Sequence, residues 1–215
     1  MEDAYEPPFT AADHTKLVRA VLERPLHVIK YLNVPRGQSP TTMQVIDAAL
    51  QVKSFDSGTK ARLQEARTAC LRFEEEQARD SAAYTERGDR LQAALEGKSI
   101  PEMIAAVDDL LAQEQLDDRS RGGLTLAKAI LEDGADSIYS LDFPVWELVD
   151  DGGPSGPGGI RSAGAQAAHR TGAHAVAQVD ATVAHTCGGT DICGAVAGGK
   201  SVGAALAVIY DAFFG

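Results

Sequence analysis

The sequence predicts an all-α protein, a helical bundle followed by a Gly/Pro linker and a helical hairpin rich in small residues. Three observations lead there. Apolar residues recur three and four positions apart through the first 150 residues, strand-like alternation is weak throughout, and the composition changes abruptly at Gly152.

From Thr10 to about Glu23, Leu17, Val18, Val21 and Leu22 fall at helical spacing, and Pro25 then reads as the first-turn proline of a second helix carrying Leu26, Ile29 and Leu32. Asn33 to Pro40, with two prolines and a glycine, reads as a loop. A third helix is expected from Ser39 or Thr41 to Val52, with Met43, Ile46 and Leu50 on one face. Ser57 to Glu96 has no proline and an imperfect seven-residue seam of Leu63, Cys70, Tyr84 and Leu91 beside Ala66 and Phe73. Gln77, Asp80 and Arg87 fall on that seam and Gly88 interrupts it, so a long bent helix or a helix pair is expected rather than a coiled coil.

Ser99-Ile100-Pro101-Glu102 has the spacing at which each side chain satisfies a backbone donor at the other position, and it opens a helix with Met103, Ile104, Val107, Leu110 and Leu111. Another helix is expected from about Leu124 to Glu132, ending at Gly134, and a short one from Pro144 with Trp146, Leu148 and Val149. These segments make residues 1–151 an acidic bundle of five to seven helices.

Residues 152–159, five glycines, two prolines and a serine, hold neither a helix nor a ladder strand and read as a linker. Beyond it, in residues 160–215, come two runs rich in alanine and glycine, about Ser162 to His185 and Thr190 to Phe214, joined by Cys187-Gly188-Gly189. Arg161, Arg170 and Lys200 balance Asp180, Asp191 and Asp211, so the whole formal charge of −11 lies before the linker. That charge argues against nucleic acid or an anionic membrane surface as the main partner and favours a basic protein surface. The acidic stretches 102–118 and 132–151 are read as solvated helix faces or as a docking surface for such a partner.

Within the last run, Gly194 and Gly198, then Gly199 and Gly203, stand four apart, a spacing that lets helix backbones approach closely. Ile192 to Tyr210 carries Lys200 as its single charge, which makes 192–214 a candidate for membrane contact as well as for an ordinary buried helix. His185, Cys187 and Cys193 are the best soft-ligand set, but their spacing is that of no known zinc site, so no metal is expected. Three cysteines do not make a disulfide framework, although Cys187 and Cys193 are close enough to be modified or crosslinked outside a reducing compartment. Gly198-Gly199-Lys200-Ser201 lacks the earlier glycine and the strand of a phosphate-binding loop. No catalytic set stands out, an assembly of His14, His27 and Glu74 has no pattern behind it, and neither an enzyme nor a cofactor is expected. The acidic opening MEDAYEPPFT has no basic region ahead of an apolar run, so folding in the cytoplasm is expected.

Trp146-Glu147-Leu148-Val149-Asp150-Asp151-Gly152-Gly153, followed by a neutral Gly- and Ala-rich segment with two cysteines, resembles the leader-to-core junction of double-glycine bacteriocin and modified-peptide precursors. The resemblance covers residues 146–215. It implies a non-catalytic precursor whose helical part docks on processing or export machinery, with cleavage after Gly153 and a C-terminal core that is modified or exported. Two adjacent glycines suit such a step because they lie extended in a narrow protease cleft. The alternative expectation is a helical adaptor, whose C-terminal hairpin folds back on the bundle or mediates self-association.

Overall fold

In the computed structural model, residues 9–35, 38–113, 115–140, 143–146 and 163–214 are described, with 163–171 and 213–214 described in backbone only. Among them the protein is all-α, with no strand.

Local chemistry sets the first helices. α1 (Ala11–Leu22) starts at Thr10, whose hydroxyl accepts from the Asp13 amide while the Asp13 carboxylate accepts from the Thr10 amide. α2 (Pro25–Ile29) opens on its proline. α3 (Thr42–Gln51) carries the same reciprocal cap between Thr41 and Gln44.

The long segment is a helix pair, α4 (Ser57–Arg79) and α5 (Ser81–Leu95), and the break falls at Asp80 rather than at Gly88. The cause lies in burial. After Phe73 the next buried residue is Tyr84, so nothing in between holds a straight helix against the core. The turn at Asp80 brings the two rings together edge to face, 5.5 Å between centroids. Gly88 stays helical and faces Thr186, where a Cβ would stand 3.2 Å from the hydroxyl oxygen.

α6 (Ile100–Leu111) begins at the expected Ser99–Glu102 capping box. α7 (Asp118–Ala135) begins six residues before the expected Leu124, capped by Asp117, and includes Gly122 and Gly123. Its end is not a glycine in left-handed conformation. Gly134 has an ordinary φ and makes room for the ring of Tyr139, which folds back over it. Of the short helix expected at Pro144, Val145 and Trp146 are helical, while Leu148 and Val149 lie outside the described residues.

α8 (Ala163–Cys187) and α9 (Cys193–Phe214) form the expected hairpin, turned by Gly188 and Gly189 at φ +80° and +68°. It is not laid on the outside of a finished bundle. α9 packs on α1, α3, α4 and α8, while α8 packs on α5, α7 and α9. One continuous core joins Val18, Ile46, Leu63 and Leu124 to Val176, Val196, Val202 and Leu206. Residue 151 is therefore a boundary of composition and charge, whereas the packing runs across it; the linker 152–159 lies outside the described residues.

Close approach explains why this hairpin is so poor in large side chains. A Cβ on Gly199 would stand 2.7 Å from the Cys70 sulfur, one on Gly203 2.8 Å from the Thr42 Cα, and one on Gly194 would meet the Phe9 carbonyl oxygen. Gly198 has ordinary room, 3.4 Å to Leu17. These contacts give a contrast to measure. Gly203→Val pushes on the α3 backbone and should cost about 1–3 kcal/mol or more, whereas Gly198→Ala should be neutral or stabilising by up to about 1 kcal/mol. Urea unfolding of the two variants reads this directly, and equal stabilities would contradict the α3–α9 contact.

Candidate functional site

Apolar and small residues fill most of the interior, so the polar groups inside it stand out. Asp180 of α8 is fully buried, and its Oδ2 accepts from the Tyr139 hydroxyl at 2.5 Å and from the Ser201 hydroxyl of α9 at 3.0 Å. His14 of α1, also fully buried, places Nε2 3.4 Å from the same oxygen, outside hydrogen-bond geometry. Among the described residues, Asp180 Oδ1 and both His14 nitrogens have no hydrogen-bond partner. Burial, followed by the neighbouring carboxylate, holds the Tyr139 phenol well above its ordinary pKa, so it stays a donor.

Four segments meet here: α1, the turn after α7, α8 and α9. The local sequence explains how. Tyr139 reaches inward because the chain reverses over Gly134, with the Tyr139 amide donating to the Gly134 carbonyl at 3.0 Å. Asp180 shares a helical face with the buried Ala173, Ala177 and Ala184, and Ser201 lies among buried glycine, alanine and valine on the facing helix.

The chemistry open to this cluster is limited by access and by order. None of the four residues is more than 2% exposed. Ser201 donates to the carboxylate rather than to the imidazole, so Asp180 stands between hydroxyl and base, which is not the order in which a base activates a nucleophile. The arrangement suits fixing helices relative to one another.

A second cluster surrounds the hairpin tip. Cys187 and Cys193 are disulfide-bonded, with Cα atoms 5.6 Å apart, and both are buried. The bond occupies two of the three soft-ligand candidates. The third, His185, is buried against α7 at Gly123, where a Cβ would stand 2.7 Å from its carbonyl oxygen. Among the described residues no group of three or more His, Cys, Asp or Glu is placed to hold a metal ion. Gly189 lies directly on Gly122. Beside the tip, the guanidiniums of Arg87 and Arg119 lie 5.0 and 5.3 Å from the Tyr84 ring centre, and Arg87 donates to the last-turn carbonyl of Thr186. Burial first, then Arg87 and Arg90, lower the His185 pKa to about 4.

The remaining sequence candidates are scattered. Gly152 and Gly153 lie outside the described residues. Of His14, His27 and Glu74, the first is buried at Asp180, the second is exposed and the third pairs with Lys200 at 2.9 Å. Sequence reasoning missed Asp180, Tyr139 and Ser201. The signal for Asp180 was present, since it is the one carboxylate in the first small-residue run and shares a face with alanines. Tyr139 had none, because its inward path depends on a chain reversal.

No known protein family, no curated protein and no solved structure matches the chain.

Two measurements probe the site. Asp180→Ala removes the acceptor that Tyr139 and Ser201 share and should cost about 2–6 kcal/mol, at about 1–3 kcal/mol for each buried hydroxyl left to find another partner, while Tyr139→Phe removes one donor and should cost about 1–3 kcal/mol. Urea midpoints rank them, and an Asp180→Ala protein as stable as the parent would contradict the network. Acid titration probes the tip. The His185 pKa lies below its unfolded value of 6.5, so the unfolded chain binds the extra proton first and stability falls as pH drops from 6.5 toward 4, by about 3 kcal/mol at the lower end. His185→Gln should flatten that interval. It should leave the loss below pH 4, which belongs to the caps Asp56, Glu102 and Asp117, whose pKa values are lowered chiefly by their hydrogen bonds from Thr59, Ser99 and Ser120.

Proposed function

We propose that the chain is a non-catalytic helical adaptor in which residues 9–146 form an acidic shell around the C-terminal hairpin and make the contacts with a basic protein partner. The observation that carries this reading is the central place of α8 and α9 in the core. Five of the hairpin's buried side chains, Val176, Val196, Val202, Leu206 and Ile209, contribute roughly 1.5–3 kcal/mol each. Burial on that scale is large beside the net stability of a domain, which is only about 5–15 kcal/mol once chain entropy is set against it. A hairpin of that weight acts as a structural member.

Charge supports the choice of partner. Residues 9–146 carry 17 Lys and Arg against 22 Asp and Glu, and Asp109, Asp118, Asp133 and Asp136 on and beside α6 and α7 are exposed, with no ion pair to a described residue. An acidic face of this kind draws a basic surface at a rate that salt reduces.

The precursor reading implied by the double-glycine junction makes the opposite demand, since a leader of residues 1–153 has to stand alone once its core is released. What supports it is the disulfide-closed and electrically neutral hairpin beyond the junction. The two readings separate on one preparation. Fragment 1–153 should show reduced helicity and no cooperative thermal unfolding as an adaptor lacking its core. A fragment that unfolds cooperatively near the parent's Tm would favour the precursor. For the partner, a lysine-rich probe peptide titrated at about 50 and about 500 mM salt, between which the Debye length falls from about 14 to about 4 Å, should lose affinity when Asp109, Asp133 and Asp136 are changed to lysine. Equal loss from reversing the α4–α5 acids instead would argue against a defined face.

A further inference from the structure

Within an acidic protein, residues 24–55 carry the opposite sign. They hold four Lys and Arg against a single acid, Asp47, and that carboxylate is taken by Arg67 of α4 at 2.7 Å. Residues 102–136, which contain α6 and α7, hold nine Asp and Glu against three Lys and Arg. Two large hydrophobic side chains also stand outside the fold at α2: Leu26 is 46% exposed and Tyr31 41%. Tyr31 lies in the turn that ends α2, its amide donating to the Val28 carbonyl. Arg24 donates to the Ser54 carbonyl at 2.8 Å, which brings the turn holding Lys53 against the start of the same helix. Lys30 and Lys53 are exposed and form no ion pair with a described residue. An exposed leucine or tyrosine is ordinary by itself, whereas a pair of them rimmed by unpaired cations has the make-up of an interface.

We propose that the basic surface bound by the acidic α6–α7 face is the α2 face of a second copy of this chain, so that copies join head to tail. The inference rests on the acidic-face reading above and names its partner. Charge complementarity carries it, since Lys30 and Lys53 on one copy match Asp109, Asp133 and Asp136 on the next. Leu110, Leu116 and Leu126, partly exposed on α6, α7 and the turn between them, give Leu26 and Tyr31 an apolar counterpart. Within one chain the two faces belong to different neighbourhoods: α2 packs on α1, α3 and α9, and α6 packs on α5, α7 and α8.

Two unlike faces make a heterologous contact, which leaves one face free at each end and adds further copies unless a ring closes. The apolar centre is small, so the contact belongs with transient interfaces of under about 1,200 Å², and assembly is expected at roughly 10–100 µM protein.

The experiment is sedimentation velocity of the full-length chain at about 100 µM, in about 50 and about 500 mM salt. Three variants are compared with the parent: Lys30→Glu with Lys53→Glu, the triple change of Asp109, Asp133 and Asp136 to lysine, and Tyr31→Ser. The parent should form dimers and larger species at low salt and dissociate at high salt. Either charge-reversed protein alone should be monomeric, because its two faces then share one sign. Their mixture should associate again, since it keeps one native pair of faces. Tyr31→Ser, which leaves the charge unchanged, should weaken assembly on the order of 10-fold. Reversing Glu86, Asp89 and Glu96 on and beside α5 adds the same charge as the triple change and should leave assembly intact. Circular dichroism establishes that each variant is folded.

A monomeric parent overturns the proposal. So does equal loss from the α5 reversals, or a mixture that stays monomeric, since either would mean that net charge rather than the two faces governs association. A monomeric parent that still binds the lysine-rich peptide leaves the acidic face standing and removes only the second copy as its partner, so the two failures are distinguishable.

Discussion

α9 has to be thin. It lies against α1, α3, α4 and α8 at once, and at Gly194, Gly199 and Gly203 the neighbouring atoms occupy the space of a Cβ. Glycine in a helix costs about 1 kcal/mol relative to alanine, so the four glycines of α9 disfavour the isolated helix by several such increments. Only the contacts that their absent side chains permit offset that cost, which makes the helicity of α9 a product of the bundle. The same holds at the tip, where Gly122 and Gly123 bring α7 onto Gly189 and His185. Close approach of backbones, rather than interlocking of large side chains, is the common feature of the hairpin's contacts.

Smooth surfaces of alanine and glycine have a weakness, since one turn resembles the next and a shift along the helix loses little shape complementarity. The Asp180 network removes that degeneracy. Tyr139 and Ser201 reach the carboxylate from two different segments and His14 stands against it from a third, so a slip of α8 or α9 by one turn would leave a buried carboxylate without donors. A buried ionic group adds little net stability over an apolar replacement of the same shape, but breaking it is costly, and that difference is what specifies register. The disulfide between Cys187 and Cys193 performs the matching task at the open end of the hairpin, fixing where α8 stops relative to where α9 begins.

How much of this was legible in the sequence depended on whether the determining interaction was local. Thr10, Thr41 and Ser99 each act on residues three positions away, and the helices opening at them were readable. Gly122 and Gly123 lie inside α7, ahead of the start expected at Leu124, because the hairpin needs the space that their missing side chains leave. The break at Asp80 follows from the lack of anything to bury between Phe73 and Tyr84, a matter of packing that the heptad count blurred. The glycines at 194, 198, 199 and 203 were visible as a pattern, yet nothing in the pattern said which helices would meet them. The hardest feature was the hairpin's position. Small side chains and a Gly/Pro boundary mark an appendage when a segment stands alone, whereas here small residues are what allow it to be surrounded.

The distribution of charge ties these parts together. All of the net −11 lies ahead of the linker, −5 of it on residues 9–146, whose helices enclose the hairpin, so self-repulsion among the outer helices works against the closed form while burial of the hairpin works for it. A basic partner that neutralises the shell weakens the repulsion and stabilises the closed bundle by mass action. Salt would act in the same direction as the basic partner by screening the shell, even as it loosens that partner's own contact. The opposed signs of those two effects follow from placing the charge and the apolar helix in different layers of the same fold.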